Sequence, residues 1–470
     1  MRDTEPRHLV CEDGAWVDEI LLGGSDGDIV LHLGGPVSRG ELRRLVAEQH
    51  ARFAAAGLVK GGALALRLPP SLDCVTAMLA GWRIGAQVAL LDYRLTTHEV
   101  GRAIARLGPQ LVVEPVGDVP GTLRGFFEIS TRVTPLRGGR PARTPHALLQ
   151  LSSGSTGPSK VIGRTVGDLL AEVERYSRLD GFPRRGERIV LLASIVHVLG
   201  LVGGLLYGLA AGVRIVLPTR HTADSIFRAV ALDPEPTTLL GVPSQASVLA
   251  AVQSPPQLPQ LVRMVTGGEI LKESVRERFT TGYGAGLGAM YGMTEAGVIA
   301  TDITGGTLPG LTPVPGLPVR VQDNQILLGL AASPYVGQVD PTRYVDGWLR
   351  TNDAGHLDPD TGLLTVNGRL DSQISIGGLK VDLSEVEAAL CALPDVADAV
   401  VVHEAGIEAF VIVRSSVSAG SLSQALAARL APYKRPRTLH VLSELPRTAT
   451  GKPLRQVAAL RAAARAGAEV

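Results

Sequence analysis

The chain has little of what marks several common protein classes. It holds three cysteines in 470 residues. Cys11, Cys74 and Cys391 lack the pairing of a disulfide framework and the close spacing of a metal knuckle, so a reducing compartment, the cytoplasm, is expected. Charge of one sign is missing too: 46 Lys and Arg stand against 45 Asp and Glu, a net charge of +1. No basic field points to nucleic acid or to an anionic membrane. Aromatic residues make up 4%, which does not separate one substrate class from another. Met1–Val10 mixes charges and lacks the apolar run of a secretory leader.

One stretch, Ile189–Val213, carries no Asp, Glu, Lys or Arg and is long enough to cross a bilayer. Gly200, Gly203, Gly204, Gly208 and Gly212 interrupt it, and His197 lies inside it. It reads as a strand (Ile189–Ala193), a buried helix (about Leu201–Ala210) and a second strand (Arg214–Leu217), so no membrane span is expected.

What is present is ordinary globular material: 45% hydrophobic and 19% charged residues, with 55 glycines and 31 prolines spread along the chain as turn formers. Single cores stop growing at roughly 250–300 residues, so two or more domains are expected. The pattern predicts strands at Ala63–Leu68, Gln87–Leu91 and Gln110–Val113 alternating with helices at Ser71–Ile84 and Thr97–Leu107. That alternation means βαβ units around a parallel sheet. Past Gly347 the texture changes to short strands at Trp348–Arg350, Leu363–Val366 and Gln373–Ile376. A helix (Ser384–Ala392), strands (Ala397–His403 and Ala409–Val413), a helix (Ser421–Leu430) and a basic tail follow. This α+β texture sets a boundary near Asp371.

Four stretches carry residue types suited to a nucleotide. Leu151–Lys160 reads Leu-Ser-Ser-Gly-Ser-Thr-Gly-Pro-Ser-Lys after the apolar run Ala147–Leu151. Small residues admit a phosphate close to the backbone, the N–H groups can form an anion nest, and Lys160 adds charge. Walker A spacing is absent, and a Gly/Ser stretch taken alone is more often a plain flexible loop. Tyr291-Gly-Met-Thr-Glu-Ala-Gly297 sets a hydroxyl beside a carboxylate, fit for a phosphate oxygen and a hard cation, or for a plain turn with a solvated Glu. Gly347-Trp-Leu-Arg-Thr-Asn-Asp353-Ala-Gly355 and Asn367-Gly-Arg-Leu-Asp371 offer an Asp for ribose hydroxyls and an Arg for ribose or phosphate, or ordinary hairpin residues. Leu445–Arg455 places Lys452 on a Gly/Thr loop.

In this order, and with Thr266-Gly-Gly-Glu269 and Ala431-Pro-Tyr-Lys-Arg-Pro-Arg437, these motifs resemble the adenylate-forming superfamily: acyl-CoA synthetases, peptide-synthetase adenylation domains and beetle luciferases. The resemblance covers about Ala63 to Arg455. It implies an α/β fold with a large N-terminal domain of packed sheets and helices (1–370), which binds ATP and the acid. A small mobile α+β C-terminal lid (371–470) would carry the catalytic lysine, with Asp371 as hinge. By similarity, Ser152, Ser153, Gly154, Ser155, Thr156, Gly157 and Lys160 wrap the β- and γ-phosphates. Gly267, Gly268 and Glu269, with the segment before Tyr291, line the adenine, and Tyr291, Gly292 and Met293 belong to the same nucleotide-binding set. Thr294 meets the α-phosphate, Glu295 holds Mg²⁺, Asp353 takes the ribose hydroxyls supported by Arg369, and Lys452 reaches the carboxylate and α-phosphate.

The implied reaction is ATP-dependent activation of a carboxylic acid to an acyl-adenylate with loss of pyrophosphate, then transfer to an acceptor. Amino-acid-activating relatives carry an Asp near the position of His197; Ser194–Gly200 has no acid, so an α-amino acid is disfavoured, since an unpaired buried ammonium is costly. His197 resembles the gate of aryl- and acyl-CoA ligases, and Val196, Gly241, Gln245, Gly267, Met293 and Val298 are candidate pocket lining. An aryl or medium-chain acid, used in secondary metabolism, fits an apolar cavity. Gly377 and Gly378 suit a thin acceptor arm, but Val161 and Leu383 depart from the CoA-ligase pattern. Coenzyme A, a phosphopantetheinyl carrier protein and a free amine all remain acceptors, and a catalytically silent nucleotide binder is the rival reading. Gly282-Tyr-Gly-Ala-Gly-Leu-Gly288 lacks the helix and later acid of a dinucleotide site.

Overall fold

The structure is a computed structural model describing residues 14–117, 119, 125–152, 160–337, 340–370, 372–446 and 454–468. The chain forms two compact units. One is built from the chain up to Tyr93, Leu107–Leu151 and Val161–Gly368; the other includes Arg94–Arg106 and the chain from Arg369 onward.

Among the described residues, the first unit holds a 14-stranded and a seven-stranded sheet. In the larger, Ile29–His32, Arg214–Val216, Arg188–Leu191, Thr237–Gly241, Leu261–Gly267 and Gly286–Met293 lie side by side, all parallel. The smaller has a parallel centre of Leu111–Pro115, Ala63–Leu66, Gln87–Leu90 and Leu148–Ser152. Central strands such as Thr237–Gly241 are buried throughout, as parallel strands covered on both faces must be.

Local chemistry fixes the elements. Ser71 opens the helix Leu72–Ile84 by accepting the Cys74 N–H at 3.0 Å, and Gly85 at φ 79° closes it. The helix buries Cys74 through Trp82, and the Trp82 indole N–H donates to the Ala147 carbonyl at 2.9 Å. The apolar stretch 189–213 resolves into the strand Arg188–Leu191, a wide helical segment Leu199–Leu206 and the helix Tyr207–Ala211. Its glycines are there for close approach. A Cβ on Gly203 would sit 2.6 Å from the Tyr176 hydroxyl, and one on Gly204 2.6 Å from Leu191. No described helix is long and apolar enough to cross a membrane. Gly282–Gly288 runs from the end of the helix Glu273–Tyr283 into the strand Gly286–Met293, the reverse of the strand-to-helix order a dinucleotide fingerprint requires.

In the second unit a hairpin pairs Gln373–Ile376 with Leu379–Asp382. Gly377 and Gly378 form its two-residue turn, at φ 57° and 79°, a left-handed pair that side chains resist. The basic tail expected after residue 430 is more ordered than its composition suggests. Thr438–Leu442 pairs in parallel with Ile407–Val413, and Val457–Ala468 is helical. The parallel partner supplies what the short polar-flanked run lacks on its own. Lys434 is buried and donates to Glu99 at 3.0 Å and Glu385 at 2.9 Å.

Asp302 ends the strand Gly297–Asp302 and accepts backbone N–H groups from Thr307 (2.7 Å), Gly305 (2.8 Å), Leu308 (3.1 Å) and Thr304 (3.2 Å). Burial alone would raise its pKa, but the converging donors outweigh burial and hold it below the ordinary value. A depressed folded pKa gives stability that is present above the unfolded value, roughly pH 4, and lost as pH falls through the folded one. Asp302→Asn keeps one acceptor oxygen and is expected to lower unfolding free energy at pH 7 by about 1–3 kcal/mol. Urea titrations at pH 7 and pH 3 should show the difference from wild type shrinking at the lower pH.

Candidate functional site

Several predicted site residues of the first unit lie at the carboxyl ends of parallel strands, the side where ligands of open α/β sheets bind. Gly241 ends Thr237–Gly241, Gly267 ends Leu261–Gly267 and leads into Gly268 and Glu269, and Tyr291-Gly292-Met293 end Gly286–Met293. Val196 and His197 follow Arg188–Leu191. In the smaller sheet, Ser152 ends Leu148–Ser152. Gly267 is buried, and a Cβ there would meet Leu199 and the Met290 carbonyl at 3.2 Å; Gly268 turns the chain at φ 92°.

The Tyr291 hydroxyl donates to Asp353 Oδ2 at 2.5 Å. Asp353 is 6% exposed. Its own N–H donates to Thr351 Oγ1 at 2.9 Å, and that hydroxyl donates to the Ile326 carbonyl at 2.8 Å. Asn352, between them, has φ 61°, a left-handed kink that Asn tolerates. The kink lies inside the strand Trp348–Leu357 and sets Asp353 opposite Tyr291.

Thr294, Glu295 and Ala296 form the turn joining Gly286–Met293 to Gly297–Asp302. The helix Val166–Ser177 grips this turn from behind. Its Glu172, fully buried, accepts the Val298 N–H at 3.1 Å and pairs with Arg164 at 2.9 Å, while Arg175 donates to the Ala296 carbonyl at 2.9 Å. Burial pushes the Glu172 carboxyl up, against the pull of Arg164 and Arg175. Gly297, at φ 80°, leaves room for that carboxyl: a Cβ would lie 2.2 Å from it. From the front, the Tyr335 hydroxyl donates to Glu295 Oε1 at 3.1 Å, and Arg343 Nη2 donates to the same hydroxyl at 3.3 Å. Burial, and then the Glu295 carboxylate, push the Tyr335 phenol far above its ordinary pKa, so it stays a donor.

Glu295 is 9% exposed, and no cluster of three or more His, Cys, Asp or Glu stands ready for a metal among the described residues. A single carboxylate suits Mg²⁺, which keeps several waters and takes phosphate oxygens, and it does not suit a metal held by protein alone.

His197 Nε2 lies 3.9 Å from Asp92 Oδ2. Sequence reasoning missed this acid, because Asp92 follows the strand Gln87–Leu90 in the other sheet, far from Ser194–Gly200 in the chain. Gln150, beside it in register with Leu90, donates to the Val196 carbonyl at 2.8 Å. The segment Ser194–Gly200 itself holds no acid, and the one beside His197 comes from a distant part of the chain. Gln245 turns inward. Its amide donates to the Leu192 carbonyl at 2.9 Å, lies 3.0 Å from His221 Nδ1, and accepts the Val242 N–H at 2.9 Å. Gly241 is small because that amide lies where a Cβ would go, at 2.4 Å. Val298 is buried behind the Thr294 turn, and Lys160 and Arg369 are half-buried. Ser153, Gly154, Ser155, Thr156, Gly157, Asp371 and Lys452 lie outside the described residues. Tyr335, Arg343, Arg164 and Glu172 also went unnoticed in the sequence, since none belongs to a local motif.

Residues 28–328 match the family model of AMP-binding enzymes, and residues 385–452 match the AMP-binding enzyme C-terminal domain. The chain belongs to this adenylate-forming family, and it is an AMP-forming acid ligase that activates a carboxylic acid as its acyl-adenylate. It is 28% identical to a 4-hydroxybenzoate–CoA/benzoate–CoA ligase of Rhodopseudomonas palustris, over 93% of this chain and 91% of that one. It is 32% identical to a benzoate–CoA ligase of Thauera aromatica, over 65% of this chain and 64% of that one. Among solved structures, o-succinylbenzoate CoA synthetase of Bacillus subtilis aligns with a TM-score of 0.80 at 22% identity, covering 94% of this chain and 97% of that one.

Tyr291→Phe removes one hydrogen bond to a carboxylate, a contribution of about 1.5–3 kcal/mol. If Asp353 must be held to meet the nucleotide, ATP affinity should fall by roughly tenfold or more in a calorimetric titration while the melting temperature changes little.

Proposed function

We propose that the protein activates an aromatic carboxylic acid with ATP and passes the acyl group to the thiol of coenzyme A. The observation that carries this reading is the placement of the Tyr291–Asp353 pair and the Thr294–Glu295 turn along one edge of parallel strands, in a chain similar along most of its length to aryl-CoA ligases. Asp353 receives the ribose hydroxyls, with Arg369 in support. Gly267, Gly268 and Glu269 flank the adenine, and Ser152 through Lys160 hold the β- and γ-phosphates. Thr294 donates to the α-phosphate.

The difficulty of the first step is electrostatic: a carboxylate must approach a polyanion. Fixed cations and donors offset that repulsion and favour the charge that develops at the α-phosphorus. Lys452 supplies one cation at the carboxylate and α-phosphate. Bound Mg²⁺, carried by the nucleotide and held by Glu295, would supply a second, polarising a phosphoryl oxygen.

His197, Val196, Gly241, Gly267, Met293 and Val298 border the acid. The buried aliphatic members favour a flat apolar ring. Asp92 beside His197 extends the range to rings bearing a hydroxyl or amino donor, which an all-apolar pocket would disfavour.

Acid-dependent ATP–pyrophosphate exchange tests the first step, with a panel of benzoate, hydroxy- and aminobenzoates, fatty acids and amino acids. Exchange with aromatic acids is expected. Exchange with α-amino acids alone would overturn the aryl assignment. On the preferred acid, added coenzyme A should yield a thioester detectable by mass; product formation only with an amine would replace the thiol acceptor. Lys452→Ala should slow exchange by roughly 10²–10³-fold, the size of losing one transition-state stabiliser, and near-full exchange by that variant would remove Lys452 from its role.

A further inference from the structure

Arg343 is an awkward residue to bury. It is 6% exposed, and among the described residues its Nε and Nη1 have no hydrogen-bond partner. Its hydrogen bond is the 3.3 Å contact from Nη2 to the Tyr335 hydroxyl. An unsatisfied buried guanidinium is costly and calls for an explanation other than packing. The explanation lies one step further along, where the same hydroxyl reaches Glu295 Oε1 at 3.1 Å.

We propose that Tyr335 and Arg343 are positioning residues for the metal carboxylate Glu295, a relay that orients its side chain and balances its charge until nucleotide-bound Mg²⁺ arrives. The inference rests on the reading of Glu295 as the metal ligand. A phenol has one proton to donate. Arg343 occupies the acceptor side of the hydroxyl, so the proton is directed at Glu295, and the cation polarises that bond. Tyr335 thereby engages Oε1 of the carboxylate and fixes its orientation. The guanidinium also supplies the countercharge that a carboxylate buried to this extent needs. Because that charge is already balanced, the site binds a divalent ion weakly until ATP brings phosphate oxygens with it.

The relay joins two sheets. Tyr335 belongs to the edge strand Tyr335–Val336, paired with Val161 and Ile162 of the smaller sheet, whereas Glu295 sits on a turn of the larger one. No local sequence pattern links them.

The test uses the full-length protein and three variants: Glu295→Gln, Tyr335→Phe and Arg343→Met. Two quantities are read: the Mg²⁺ concentration giving half-maximal ATP–pyrophosphate exchange, and Mn²⁺ binding by electron paramagnetic resonance with and without a non-hydrolysable ATP analogue. Partners of this kind typically change metal affinity by about 10–100-fold. Tyr335→Phe is expected to raise the half-saturating Mg²⁺ and the Mn²⁺ dissociation constant about tenfold, with exchange recovering at saturating metal. Arg343→Met, which removes the countercharge, should lower the Mn²⁺ dissociation constant measured without nucleotide; weaker nucleotide-free Mn²⁺ binding in this variant would overturn the charge-balancing role. Unchanged metal dependence in Tyr335→Phe, where Glu295→Gln does shift it, would overturn the relay. Unchanged metal dependence in Glu295→Gln would instead overturn the metal assignment on which it rests.

Discussion

The site depends on one buried carboxylate. Glu172 sits in the interior of the first unit, takes the backbone N–H of Val298 and is neutralised by Arg164. Removing either charge would leave the other stranded in a low-dielectric interior, at about 3–5 kcal/mol. The pair therefore ties the strand Lys160–Arg164 of the smaller sheet, the helix Val166–Ser177 and the Thr294–Gly297 turn of the larger sheet into one arrangement. The turn is held by backbone as well as side chain.

The same logic recurs at the other contacts between the two sheets. Gln150 reaches from the smaller sheet to the Val196 carbonyl, Asp92 approaches His197, and Tyr335 reaches Glu295. Each joins a residue following or within a strand of one sheet to a segment at a strand end of the other. Parallel strands bring loop after loop to one edge, and polar cross-contacts then set the loops against each other.

Relatives named as aryl-CoA ligases and this chain share the family frame. An acid beside His197 and a tyrosine–arginine pair behind Glu295 are tertiary features, built from residues that no short motif contains.

The sequence by itself determined the family, the alternation of strand and helix and the identity of the motif residues, because short-range periodicity and loop chemistry are local properties. It placed the helix Thr97–Leu107 and the strand Gln373–Ile376 at their observed bounds. It read Ile189–Val213 as buried elements from its glycines and from His197 within it. It missed the strand Thr438–Leu442, which exists through its parallel partner, and the fully internal use of the Gln245 amide. Only the tertiary structure decided which side chains stand behind the motifs. Asp92 meets His197, Glu172 meets Val298 and Arg343 meets Tyr335 across separations at which no periodicity survives, and a buried charge selects its partner by distance in space.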